Sequence, residues 1–157
     1  MKTFVMTLAV IIATSIVATA QRTSKIPQSV KESFAVKFPG TRVKKWNKVK
    51  ENYTAIFESQ NKKQKVTFTL DGKWVKTETK IKWKDIPESI KTAFAKSKYL
   101  SWKKNEIIVI DMPENSKLFV IEVDNESEFH GEDYVLKDDY SLFFTPDGKL
   151  IKEEKHC

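Results

Sequence analysis
The sequence predicts an α+β protein built of two tandem repeats, each a helix followed by antiparallel strands. Three observations carry this. Ile26-Pro27-Gln28-Ser29-Val30-Lys31-Glu32-Ser33-Phe34-Ala35 returns at an offset of 60 as Ile86-Pro87-Glu88-Ser89-Ile90-Lys91-Thr92-Ala93-Phe94-Ala95. Phe68-Thr69-Leu70-Asp71-Gly72-Lys73-Trp74 returns at an offset of 76 as Phe144-Thr145-Pro146-Asp147-Gly148-Lys149-Leu150. Trp46 and Trp102 follow the two copies of the first segment in the same order. Order preserved across three segments marks a duplicated unit, so the chain divides into 21–83 and 84–157.

The residues before the repeats read as an export signal. Met1-Lys2-Thr3 carries the lone charge ahead of Arg22, Phe4 to Val17 is mostly apolar, and Ala18-Thr19-Ala20 follows. A short cationic start, an apolar run and an A-x-A end predict a secretory signal peptide over 1–20, with cleavage after Ala20. The run is short for a membrane span, which needs ~20 apolar residues, so no span is expected after cleavage. Localisation is expected to be periplasmic or secreted, and the single Cys157 suits an oxidising compartment.

Each element follows from its local pattern. Pro27 and Pro87 suit the first turn of a helix, where a missing N–H costs nothing. Val30, Phe34 and Phe38 recur at i, i+4 and make an apolar stripe, which predicts a helix over 26–38 ended by Pro39-Gly40. Ile86, Ile90 and Phe94 repeat the stripe and predict a helix over 86–97. The period then changes to two: Tyr53, Ala55 and Phe57 alternate with Thr54, Ile56 and Glu58, and Val66, Phe68 and Leu70 alternate with Thr67 and Thr69. Asp71-Gly72 and Asp147-Gly148 read as two-residue hairpin turns. Such a turn pairs Phe68 with Val75 under the helix and puts Thr69 and Trp74 on the water-facing side. Trp102 shares strand phase with Leu100, Ile108 and Ile110, which predicts burial, while Lys44 and Lys48 leave the face of Trp46 open.

These segments resemble the PepSY-like, β-lactamase-inhibitor-like family of small exported bacterial proteins. The resemblance rests on I-P-x-S-[VI]-K-x-x-F-A, the following Trp, the alternating strand and the D-G-K hairpin, and it spans nearly all of 21–157. It implies four antiparallel strands per unit, hence two tandem repeats of one helix packed on a four-stranded antiparallel sheet, β-lactamase-inhibitor-protein-like, with an open curved face. It carries over no catalytic residue. The hairpin around Met112-Pro113-Glu114-Asn115 departs from the compact unit.

Composition narrows the chemistry. One Cys and two His, His130 and His156, leave little material for a metal centre or a hydrolase triad. No enzyme, cofactor or metal is expected. The charge is divided: residues 21–84 hold 17 Lys/Arg against 5 Asp/Glu, and residues 85–157 hold 10 against 16. A basic half with interleaved aromatics is the usual footprint of nucleic-acid binding, but export and the lack of any nucleic-acid motif argue against it. The candidates that remain are an acidic protein in the cell envelope, an anionic surface, or weak self-association.

Two readings of function follow. In the first, the protein is a non-enzymatic exported binding module, inhibitor-like, that presents its open sheet face to a protein partner. Trp74, Ile56, Val120, Phe143 and Leu150 are the candidate face, since apolar side chains on an open sheet mark a binding surface. Lys62, Lys63 and Lys65 are candidate basic contacts, with Glu126, Glu128, Glu132 and Asp133 as the acidic counterpart. In the second, an envelope protein binds a cation or small ligand through the acidic insert 124–139, whose oxygens suit a hard cation but lack EF-hand order.

Overall fold
A computed structural model describes residues 25–125 and 138–156. The expected signal segment 1–20, together with Glu126, Glu128, His130, Glu132, Asp133 and Cys157, lies outside the described residues. Among those described are helices α1 (Gln28–Lys37) and α2 (Glu88–Ala95). The strands are β1 (Val43–Val49), β2 (Asn52–Ser59), β3 (Lys62–Thr69), β4 (Trp74–Lys80), β5 (Lys103–Asp111), β6 (Lys117–Asp124), β7 (Asp139–Phe144) and β8 (Leu150–His156). The helices run slightly shorter than predicted, with Pro27 and Pro87 one step before the first helical residue. The proline carbonyls accept from Lys31 N and Lys91 N, each at 3.2 Å, so both residues still open their helices.

All eight strands form one antiparallel sheet in sequence order. β4 pairs with β5 from Thr77↔Asp111 to Lys80↔Ile108, so the two runs of four strands are parts of a continuous sheet. Both helices cover the same side of it. α1 brings Val30 and Phe34 against Tyr53, Ala55, Phe57, Val66 and Phe68. α2 brings Ile90 and Phe94 against Ile107, Phe119, Ile121, Leu142 and Phe144. The two clusters share no buried residue. Burying seven side chains in the first cluster and ten in the second is what holds helix to sheet, since ten- and eight-residue helices are marginal alone. Trp46 joins the first cluster, its ring 5.8 Å from Phe34 edge to face. Trp102 joins the second beside Tyr99 and Tyr140. It does so on the helix side, opposite Ile108, because the ladder shifts register between Lys104 and Glu106.

The hairpins correct the expected phase. Thr69 N donates to Lys73 O and Gly72 N to Thr69 O, so the loop spans Leu70, Asp71 and Gly72. Thr145, Lys149 and Gly148 repeat this geometry. A turn followed by a residue at positive φ forms a bulge, and the register slips: Phe68 pairs with Trp74, and Phe144 with Leu150. Trp74 and Leu150 therefore pack against the helix-side clusters and not on the open face. Lys37 at the end of α1 sits 3.4 Å above the Trp74 ring. Thr69 is not idle either, since its hydroxyl donates to Asp71 and accepts from Lys73 N at 3.1 Å. Thr67, expected in water, is buried and bonds Thr54 across the strands at 3.1 Å.

The repeated motifs meet in space. Ser29 Oγ donates to Leu70 O at 3.0 Å, and Ser89 Oγ to Pro146 O at 2.7 Å. The serine of each I-P-x-S segment thus ties the first turn of a helix to the tip of a D-G-K hairpin. A Cβ at Gly72 would lie 2.8 Å from Ser29 O, and one at Gly148 would lie 2.6 Å from Ser89 O. Glycine is required there both by positive φ and by this approach.

The last strand is stapled to the turn after α2. Tyr99, 1% exposed, donates its hydroxyl to Glu153 Oε2 at 2.8 Å, and Lys98 Nζ lies 3.1 Å from the same oxygen. The Tyr99 hydrogen bond first, then Lys98, holds the Glu153 carboxyl below its ordinary range. A folded value below the unfolded one gives stability that is present above the unfolded pKa and is lost as pH falls through the folded one. Glu153→Gln should therefore melt below the parent at pH 7. The gap should close as pH drops from ~5 into the acid range, where the parent carboxyl is itself protonated. Melting curves from pH 7 to pH 3 check this; a gap independent of pH would rule out the carboxylate as its source.

Candidate binding face
Alternation along each strand places every second side chain on the side the helices leave uncovered. One row crosses it as Lys45, Ile56, Lys65, Glu78, Ile110 and Leu118, each the register partner of the next. The next row runs Lys80, Ile108, Val120, Phe143 and Lys152. Ile108, Ile110, Leu118, Val120 and Phe143 form a continuous apolar strip over β5–β7, and Ile56 on β2 stands apart from it across Lys65 and Glu78.

Of the candidate face residues, Ile56, Val120 and Phe143 are on this face. Ile56 and Phe143 are half-buried and accessible, with Lys152 Nζ 5.1 Å from the Phe143 ring. Val120 is 5% exposed and supports the face from below more than it offers contact. Trp74 and Leu150 belong to the helix side, as described. Ile108, half-buried between Lys80 and Val120, completes the strip and was not singled out from the sequence.

Lys63 and Lys65 project from β3 on the open face, and Lys62 stands beside the Gln60-Asn61 turn; all three are exposed. They face lysines from another element. A hollow of about 550 Å3 lies between that turn and the segment after β4, with Lys62, Lys63, Lys80, Lys82 and Lys84 around it and Asp85 as its acidic member. Lys82 N donates to Asp85 Oδ2 at 3.3 Å, fixing the 3-10 turn Trp83–Asp85 that carries Lys84. The signal in the sequence was Lys80-Ile81-Lys82-Trp83-Lys84, three cations within five residues.

A second hollow of about 110 Å3 opens on the sheet face itself. Ile56 on β2 and Ile108 on β5 line it from opposite sides, with Lys63, Gln64, Lys65, Glu78, Lys80 and Glu106 around it. Lys80 Nζ pairs with Glu106 at 2.9 Å across the β4–β5 junction. On the edge strands Lys44 pairs with Glu58 and Lys152 with Glu154; each lysine draws its partner's carboxyl below the usual range.

Of the acidic insert, the described carboxylates are engaged. Asp124, 1% exposed, accepts from Asn105 Nδ2 at 2.6 Å, and Asp138 pairs with Lys155 at 2.6 Å. Among the described residues no three His, Cys, Asp or Glu gather as a metal site. Ser141 Oγ lies 2.7 Å from His156 Nε2. Ser141 is 5% exposed, so this contact lies largely out of solvent. No helix among the described residues is long and apolar enough to cross a membrane.

Comparisons with known proteins agree with this architecture. Residues 51–152, from the turn before β2 into β8, match the family described as "Putative beta-lactamase-inhibitor-like, PepSY-like". A DUF2874 family protein from Bacteroides ovatus ATCC 8483 is 26% identical with a TM-score of 0.71, covering 82% of this chain and 86% of that one. A protein from Bacteroides eggerthii DSM 20697, described among "putative periplasmic proteins", is 23% identical with a TM-score of 0.74 over 82% and 88% of the two chains. A BLIP-like protein from Bacteroides fragilis NCTC 9343 is 23% identical, with a TM-score of 0.69 over 82% and 86%. At such identity the two last likenesses are of fold alone. No curated protein matches the chain in sequence.

Proposed function
Because the chain belongs to the PepSY-like, beta-lactamase-inhibitor-like family, we propose that it is a non-enzymatic, inhibitor-like binding module. It acts outside the cytoplasm and presents the helix-free face of its sheet to another protein of the cell envelope. The observation that carries this reading is the apolar strip of Ile108, Val120 and Phe143, with Ile56 beyond it on β2, on the face that neither α1 nor α2 covers. Apolar side chains gathered on an open sheet and rimmed by charge are the usual mark of a protein-binding surface. The cationic leader-like segment 1–20 and the periplasmic description of a fold relative support export. The matching Ser29–Leu70 and Ser89–Pro146 bonds support the two halves, 21–83 and 84–157, being copies of one unit.

A photo-crosslinking residue at Ile56 or Phe143, introduced in the producing cell, should capture the same envelope protein. The same residue at Val36, 83% exposed on α1, should not. Capture of one protein equally from Val36 and from the sheet, or capture of none from the sheet, would remove the assignment of this face.

A further inference from the structure
The two hollows adjoin. Lys63 and Lys80 stand on the rim of both, so the small apolar depression on the sheet face opens directly onto the large basic one at the sheet's end. We infer that together they receive an acidic protein segment carrying one aliphatic anchor. The anchor fills the depression between Ile56 and Ile108, and carboxylates next to it in sequence lie among Lys62, Lys63, Lys82 and Lys84. This rests on the sheet-face reading above and names the partner's chemistry.

Size decides the anchor. Cavities that take whole small molecules span ~300–1,000 Å3. At about 110 Å3 the depression holds one aliphatic side chain and not a lipid tail or a cofactor. Ile56 and Ile108 face each other across it, which favours an aliphatic over a polar occupant between them. Charge decides what surrounds the anchor. Among the described residues, Lys62, Lys82 and Lys84 sit in no ion pair, while Lys80 already has Glu106. Three such cations around one hollow repel one another and are relieved by an anionic occupant. Lysines act as separate mobile point charges, which suits several carboxylates spaced along a chain. Asp85 is held by the backbone of its own turn and leaves the cationic balance of the hollow in place.

The test uses three fluorescein-labelled peptides and the purified protein, followed by anisotropy. The first alternates glutamates around a central leucine, the second has that leucine replaced by serine, and the third has its glutamates replaced by glutamines. The first peptide should bind at least tenfold tighter than either of the others, and its affinity should fall steeply with salt, because exposed charges are screened within ~8 Å at physiological ionic strength. The combined Lys62→Glu, Lys82→Glu, Lys84→Glu variant, whose three side chains are exposed and whose folding is checked by circular dichroism, should weaken the first peptide at least tenfold. Equal affinity for the three peptides overturns the inference, and so does binding that survives the charge reversal. Tighter binding to phosphatidylglycerol vesicles than to the first peptide overturns it too, in favour of a membrane surface. Sheet-face crosslinks that persist unchanged in the charge-reversed variant would leave the binding-face reading standing and remove this inference alone.

Discussion
Gly148→Ala is expected to destabilise the protein by roughly 2–5 kcal/mol in urea unfolding, which makes it among the most damaging single-methyl additions in the chain. Two causes add. Gly148 has φ +91°, where an L side chain costs ~1–2 kcal/mol. The added Cβ would also stand 2.6 Å from Ser89 O and 2.8 Å from its carbonyl carbon. Those atoms belong to the first turn of α2, so relief requires the helix to back away from the sheet, and forced overpacking costs ~1–3 kcal/mol. Backing away also stretches the Ser89 Oγ to Pro146 O hydrogen bond. Gly40→Ala is the control: φ there is +71°, but a Cβ meets nothing within 4 Å, so the conformational cost acts alone. A loss at Gly148 no larger than that at Gly40 would show that the helix does not press on the hairpin. Gly72→Ala should behave like Gly148→Ala, because Ser29 and Ser33 crowd it in the same way.

That contact also explains what could be read from the sequence and what could not. The stripes Val30-Phe34 and Ile90-Phe94 gave both helices, because i, i+4 spacing depends on the helix alone. Alternation in β2 and β3 gave the inner and outer residues of those strands. The D-G-K segments were legible as turns, but not their length. A two-residue and a three-residue loop use the same Asp-Gly pair, and the choice falls to the helix turn that Ser29 and Ser89 press against the tip. One residue of slip reverses every side chain beyond it. Trp74 and Leu150 therefore went to the wrong face, while Ile56, Val120 and Phe143, on the near side of the bulge or away from it, went to the right one. The basic site was half legible for a related reason. Lys62, Lys63 and Lys65 form a run in sequence, whereas Lys80, Lys82 and Lys84 join them through β3–β4 pairing, which no local pattern announces.

Phe68→Ala is expected to cost ~3–5 kcal/mol, the usual loss on truncating a buried phenylalanine, and to act on one half of the molecule first. Phe68 is 1% exposed and lies among Val30, Phe34, Tyr53, Phe57 and Val66. Nothing in that cluster is also in the cluster of Ile90, Phe94, Ile121 and Leu142. Between them runs the β4–β5 junction, four paired positions whose buried side chains on the β4 strand are Thr77 and Thr79. A void under α1 therefore loosens α1 and β1–β3 without removing any contact that holds α2. Opening in parts of this kind is read by amide exchange. In the variant, exchange at Ala55 and Val66 should quicken strongly while Ile121 and Leu142, each 0% exposed, keep close to their parent rates. The converse, Phe144→Ala, should spare Ala55 and Val66. Uniform quickening at all four amides would mean that the sheet opens only as a whole, that four paired positions suffice to couple the two cores, and that the division of stability between them does not exist.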